Sequence, residues 1–262
     1  MVKRLRWSLI VSLLPQFLMA VSDRYPYRAV DPILPIPQLQ FENDFSPVNS
    51  DTDHVSNILY FKTLWKALPS EVLPFYQGIR IQFEMVTTPS TSSSHGTTNL
   101  GDTQFLDLFC VTGDWWEVGL GPMAIFPTAI QSSRGTGQGK WQLGPALGVL
   151  LEIKDTQIGV LAQNPISFAG NSHRPNQNYL LFQPFFFQHL GHGWFFHANP
   201  QWSLDWLQGI YKIPLNFGGG RILRMKDYSL DIDLRLEGMV YENSPTFTPQ
   251  FTIQLLFSFL LQ

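Results

Sequence analysis

The sequence predicts an all-β chain, a transmembrane antiparallel up-and-down β-barrel of about twelve strands. Three observations carry that prediction. Apolar and polar residues alternate with period two in segment after segment, as in strands whose two faces meet different surroundings. Charged residues make up only 14% of the 262-residue chain, against about 25% in ordinary soluble proteins, while hydrophobic residues reach 44%. Aromatic residues also reach 14%, with 21 Phe and 8 Trp, the types that populate the interfacial girdles of barrels. A secreted β-sandwich would alternate as well, but it would not combine so few charges with so much Phe and Trp.

The chain opens on Lys3, Arg4 and Arg6, followed by "WSLIVSLLPQFLMA". A basic stretch, a short apolar run and a small residue describe a secretory signal over residues 1–20, cut near Ala20, although Leu18 departs from the A-x-A pattern. As a membrane anchor the run is too short and is broken by Pro15, since a spanning helix needs about 20 apolar residues. Residues 21–35, with Pro26, Pro32 and Pro35, read as an extended lead-in, and residues 36–262 as the barrel. No later window holds 18 consecutive apolar residues, which excludes helical spans. Cys110 is the only cysteine. An internal disulfide is therefore unavailable, and closing a sheet on itself is another way to hold an exported chain together.

Weaker alternation at 36–45 and 55–64 starts the strand series. "GIRIQFEMV" (78–86) is sharper: Ile79, Ile81, Phe83 and Met85 lie on one face, and Arg80, Gln82 and Glu84 on the other. Segments 101–112 and 115–127 follow. "SSRGTGQGKWQLGPALGVLL" (132–151) contains Gly139-Lys140, but Arg134 occupies the first glycine position of a phosphate-binding loop and Trp141 stands where Ser or Thr should be. Trp141, Leu143, Pro145, Leu147, Val149 and Leu151 share one parity, so the stretch is a turn and a strand. Segments 157–167, 178–190, 193–205 and 210–219 continue the series, and "LDIDLRLEGMV" (230–240) and "FTIQLLFSFLL" (251–261) close it. Long, turn-rich connections such as "TTPSTSSSHGTTNLGD" and "AGNSHRPNQN" alternate with short ones such as "GHG". Pro122, Pro145, Pro184 and Pro214 fall inside these strands, where proline requires an edge or a bulge.

"NLGDTQFLDLF", "VGLGPMAIFPTA", "GKWQLGPALGVLL", "GVLAQNPISFAGNSHRPNQNYLLFQPFF", "GWFFHANPQWSLDW" and "IPLNFGGGRIL", taken in order, resemble a family of Gram-negative outer-membrane barrels. That family is related to proteins named for the meta-pathway of phenol degradation; its members are often called transporters, and some carry a neuromedin-U-like label. The likeness covers about residues 36–262. It implies passage of small compounds, hydrophobic or aromatic ones among them, and supplies no catalytic residue. The chain departs from the pattern at its end, Phe259-Leu260-Leu261-Gln262, where barrels commonly finish on an aromatic residue read by the barrel assembly machinery.

The strongest functional clue is the row Asp231, Asp233, Arg235 and Glu237, alternating with Leu230, Ile232, Leu234 and Leu236. With Leu and Ile toward lipid, the four polar residues point into the lumen, because Arg or Lys on the lipid face costs about 2–4 kcal/mol at the midplane. They form either a polar wall that tunes what passes or a structural ion-pair ladder that fills a closed barrel. Arg80, Gln82 and Glu84 face the same lumen and could pair with the row. His189, His192 and His197 invite a metal reading, but they straddle the Gly191–Gly193 turn, so no metal or other cofactor is expected. Ser94-His95 and Ser172-His173 are adjacent loop pairs. Adjacency does not make a triad, there is no G-x-S-x-G elbow, and no enzyme is expected.

The expectation is thus a bacterial outer-membrane barrel, exported through the periplasm, that admits small molecules through a polar lumen. Its implied partners are outer-membrane lipid, a small-molecule permeant and the barrel assembly machinery. A formal net charge of −3 leaves no basic footprint for nucleic acid. A non-conducting structural barrel and a rim-site hydrolase are the alternatives. The sequence does not indicate an oligomeric state.

Overall fold

A computed structural model describes residues 29–91, 95–129, 135–226, 228–244 and 247–261. The signal expected over residues 1–20 lies outside them, as does most of the lead-in. Strands β1 (Gln38–Asn49), β2 (Ser56–Ala67) and β3 (Tyr76–Thr88) are followed by a short β4 (Thr97–Leu100) that pairs with Met85–Thr88 of β3. Next come β5 (Thr103–Thr112), β6 (Trp116–Phe126), β7 (Lys140–Ile153) and β8 (Thr156–Gln163), with β9 (Ile166–Gly170) paired to β7. The wall continues through β10 (Tyr179–Gly191), then β11 (Trp194–Ala198) and β12 (Trp202–Asp205), which together make one interrupted strand. It ends with β13 (Ile210–Arg224), β14 (Tyr228–Glu242) and β15 (Pro249–Leu261). Every neighbouring pair is antiparallel, and the β8–β10 and β15–β1 ladders close the ring into a barrel of 12 strands.

Both ends of the wall lie at one rim, here called the near end. Near-end turns are mostly tight: Lys154-Asp155 joins β7 to β8, and His192-Gly193 joins β10 to β11. Lys154 and His192 take positive φ there, 55° and 52°, as two-residue hairpin turns demand. The longer connections, 89–102, 127–139 and 164–178, gather at the far end. Exposed aromatics frame both rims. Trp115, Trp194 and Tyr228 stand at the near end, and Trp141, Trp206 and Tyr241 at the far end, as girdles of a membrane barrel do. Between them the outer face is apolar, with Phe41, Phe83, Leu120, Phe217, Leu234 and Phe257 all exposed.

The prolines sit where the ladders break. Pro122 and Pro145 oppose each other across β6–β7. The β5–β6 ladder skips Asp107-Leu108 against Gly121-Pro122. Gly121 and Gly144 are required here: a Cβ would lie 1.8 Å from the Asp107 carbonyl oxygen at the first and 1.7 Å from the Asn164 carbonyl oxygen at the second. Pro184 stands opposite Pro200 in the register that β10 shares with β11 and β12, where pairing lapses. Pro214 follows Ile213 at a bulge in the β13–β14 ladder. Each proline thus lacks its N–H at a point where no ladder bond is asked of it.

The buried apolar core is inside the barrel, on the wall from β5 round to β13. Leu106, Leu108, Met123, Leu150, Phe185, Phe187, Phe195 and Ile222 all point inward. The described end of the lead-in joins them. Residues 29–37 run into the near end, with Ile33 and Leu34 1% and 0% exposed. Asp31 Oδ1 accepts the Ile33 and Leu34 N–H groups at 2.8 and 3.0 Å, satisfying backbone that no strand pairs. Three inward glycines make room for this segment. A Cβ on Gly78 would lie 2.1 Å from the Ile33 carbonyl oxygen, and one on Gly148 3.0 Å from the Ile33 side chain, with Gly119 between them in the wall.

Candidate functional site: the polar lumen and its far-end vestibule

The sheet period places every residue of the sequence-predicted rows on the inner face. Asp231, Asp233 and Arg235 are buried, Glu237 is half-buried, and Ser258, Leu256, Gln254 and Thr252 of β15 face them in register. Arg80, Gln82 and Glu84 also point inward, opposite Leu64, Lys62 and Tyr60 of β2. The two rows do not pair with each other. Instead Arg235 reaches over β15 to Glu42 of β1, with Nη2 donating to Oε1 at 2.7 Å. Lys62 Nζ meets the other Glu42 oxygen at 2.5 Å. Arg235 Nε lies 3.4 Å from Asp233 Oδ2, and Asp233 holds His197 Nε2 at 3.0 Å. One run of ion pairs and hydrogen bonds, Lys62–Glu42–Arg235–Asp233–His197, thus lines the inner wall from β2 round to β11.

Glycines shape the wall beneath this network. A Cβ on Gly218 would lie 2.4 Å from Arg235 Cγ, and one on Gly220 2.6 Å from the Phe195 ring. Gly218 and Gly220 of the "GGG" in β13 thus form a recess that lets the Arg235 side-chain stem and the Phe195 ring lie close on the sheet. Phe187 stacks on the His197 ring at 5.0 Å and 11°, while Phe195 tilts against it at 5.6 Å. From β3, Arg80 Nη2 reaches Gln163 Oε1 of β8 at 3.4 Å. Because β3 and β8 are separated along the wall by β5, β6 and β7, this contact crosses the lumen rather than following the sheet.

Above this level the lumen opens into a far-end vestibule of about 1010 Å³. Glu84 and Glu237, the far members of the two rows, line it together with Asp44, Tyr60, Lys212 and Thr252. Part of its rim is loop. Asp102, beside Glu84, accepts the Gln138 N–H at 2.6 Å and the Ala129 N–H at 3.2 Å. Arg174 donates to the Gly137 carbonyl at 3.0 Å. These bonds fold residues 135–138 over the cavity. Burial holds the Asp102 carboxyl above its ordinary range, against the opposing pull of those N–H groups and of Arg174.

The rows predicted from sequence are thus split by height. Glu84 and Glu237 face the vestibule, Arg235 and Asp233 belong to the network, and Asp231 is buried nearer the termini. Sequence reasoning missed Glu42, Lys62 and Asp44, and weighed His197 only as a metal ligand. For β1 the signal was present, because Gln38, Gln40, Glu42, Asp44 and Ser46 share one parity against Leu39, Phe41 and Phe45. For β2 it was not, since inward Ile58 and Tyr60 blur the alternation.

Among the described residues no group of three or more His, Cys, Asp or Glu could hold a metal ion. His189 and His197 both face inward but are engaged separately, His189 with Gln157 Oε1 at 3.3 Å. The His173 N–H bonds Asn171 Oδ1 at 2.9 Å in an exposed loop, and Ser94 lies outside the described residues.

No protein-family model matches the chain, and no curated protein does. Solved barrels do. An outer-membrane channel from Pseudomonas putida F1 superposes with a TM-score of 0.63 at 11% identity, covering 92% of this chain and 99% of that one. The NanC porin gives 0.55 at 10% identity, covering 86% and 99%. The KdgM porin gives 0.50 at 7% identity over the same shares. At these identities the likeness is one of fold.

Proposed function

We propose that this chain is an outer-membrane channel for small molecules, entered at the far-end vestibule and narrowed at the near end by residues 29–37. The observation that carries the reading is the form of the lumen: an open mouth of about 1010 Å³ above a wall of charged side chains, narrowed below by residues 29–37, which form no strand of their own. A barrel filled only for structural reasons needs no wide mouth. The apolar outer face, the two aromatic girdles and the fold shared with porins and channels support a place in the outer membrane. The apolar Ile58, Val86 and Met239 of the vestibule favour solutes with an apolar or aromatic part, in keeping with the resemblance to the phenol meta-pathway family.

The test is single-channel conductance of the refolded chain in a planar bilayer, with barrel formation checked by heat-modifiable gel mobility. Discrete steps whose ion selectivity changes on replacing Asp231 and Asp233 by Asn are expected. Inserted barrels that never conduct, and that exclude small solutes in liposome swelling, would overturn the reading in favour of a structural barrel.

A further inference from the structure

The vestibule carries an excess of acid that the contacts described above do not use. Asp44, Asp51, Glu84, Asp102 and Glu237 line it against only Arg174 and Lys212. Arg174 is tied to loop carbonyls, and Asp102 to loop N–H groups. Asp44 accepts a bond from Gln254 Nε2 at 3.0 Å through Oδ2, but its Oδ1 is sealed from solvent with no partner. Glu237 is held through one oxygen only, by Asn216 Nδ2 at 3.2 Å. Charge alone would not make a site. Thr136 gives an independent indication: it lines the same cavity, is 1% exposed, and its Oγ1 has no partner. A buried hydroxyl and a buried carboxylate oxygen left unsatisfied in one cavity are costly, and a ligand bearing N–H donors relieves both.

Geometry limits the ligand. Asp44 of β1 and Glu237 of β14 flank β15, Asp44 opposite Gln254 and Glu237 opposite Thr252, two residues farther toward the far end. Two strand spacings and a two-residue offset separate them by roughly 12 Å. A single cationic head fits within the field of both carboxylates. The remaining lining includes Ile58, Val86, Met239 and Phe247, suited to a hydrocarbon body. A cavity of this volume is of the size that holds a small organic molecule.

We infer that the vestibule binds small organic cations, protonated amines whose N–H groups take Asp44 Oδ1 and Thr136 Oγ1 while an apolar body lies against Ile58, Val86 and Met239. This deepens the channel reading by naming its solute class, and it rests on that reading only for transport, since binding requires no open path.

Benzylamine, benzyl alcohol and benzoate present one ring with positive, zero and negative charge. Calorimetric titration of each into the full chain in detergent micelles reads the site directly. Benzylamine is expected to bind at least about tenfold more tightly than either analogue, the ratio for about 1.4 kcal/mol. Asp44→Asn and Glu237→Gln are each expected to weaken benzylamine about tenfold while leaving benzyl alcohol unchanged. Asp114→Asn, in a near-end turn, should alter nothing. Equal affinity for the three probes, tighter benzoate, or unaltered benzylamine affinity in Asp44→Asn and Glu237→Gln barrels with intact heat-modifiable mobility would overturn the inference. Binding as expected without any conductance would uphold the site and overturn the proposed passage.

Discussion

Replacing Glu42 by Gln removes the anion at the centre of the lumen network while keeping its size. Glu42 is 6% exposed and is held by Arg235 at 2.7 Å and Lys62 at 2.5 Å. At an effective dielectric of about 20, the Arg235 contact alone is worth roughly 6 kcal/mol of gross attraction. Desolvation of the two groups offsets part of that, and deleting one partner of a buried pair typically costs about 3–5 kcal/mol. Two features reduce the loss here. Arg235 keeps Asp233 at 3.4 Å, and Lys62, whose side chain is 17% exposed, has water to turn toward. The expected destabilisation is therefore about 3 kcal/mol, read as the shift of urea unfolding in phospholipid vesicles followed by tryptophan fluorescence. The double variant Glu42→Gln/Arg235→Gln, which leaves one fewer unpaired cation, should recover about half of it. A loss below about 0.5 kcal/mol, or a double variant worse than the sum of its single ones, would show that lumen water already screens these charges and that the network does not brace the barrel.

Other consequences follow from the close approaches in the wall. Gly148→Val places branched carbon against Ile33, where even a Cβ sits at 3.0 Å. It should cost about 1–3 kcal/mol and expose residues 29–37 to protease in folded barrels. Gly220→Ala strikes the Phe195 ring at 2.6 Å; lower refolding yield is expected, partly restored by Phe195→Leu. Asp102→Ala removes the bonds that hold the Gln138 and Ala129 N–H groups and should speed proteolytic nicking at residues 135–138, while unfolding of the wall shifts by less than about 1 kcal/mol.

Much of the barrel was legible in the sequence because a strand writes its two faces at alternate positions. All twelve predicted strand positions correspond to wall strands. The sharpest, 78–86 and 230–240, fall inside β3 and β14, where lipid-side Ile and Leu oppose charged lumen residues. Alternation fades where both faces are apolar, as in β10, whose Phe185 and Phe187 point inward while Phe182 and Phe186 point outward. The predicted strand at 193–205 is divided at Asn199–Gln201, where Pro200 opposes Pro184. Which polar residues meet was not legible at all. Arg235 finds Glu42 across an intervening strand, a contact set by ring closure between β15 and β1, to which no local pattern points. The recess beneath Arg235 was visible as "GGG" but not interpretable before its neighbours were known. The reach of residues 29–37 into the lumen was likewise hidden, because a proline-rich run reads as extended wherever it lies.

The measurement that bears most directly on the proposed channel is conductance of the full chain against a variant lacking Ala29–Ile36, both inserted in planar bilayers and both verified as heat-modifiable barrels. Larger discrete steps in the shortened chain are predicted, because Ile33 and Leu34 leave the near end open when removed. Equal conductance in the two, or none in either, would contradict a lumen narrowed by that segment.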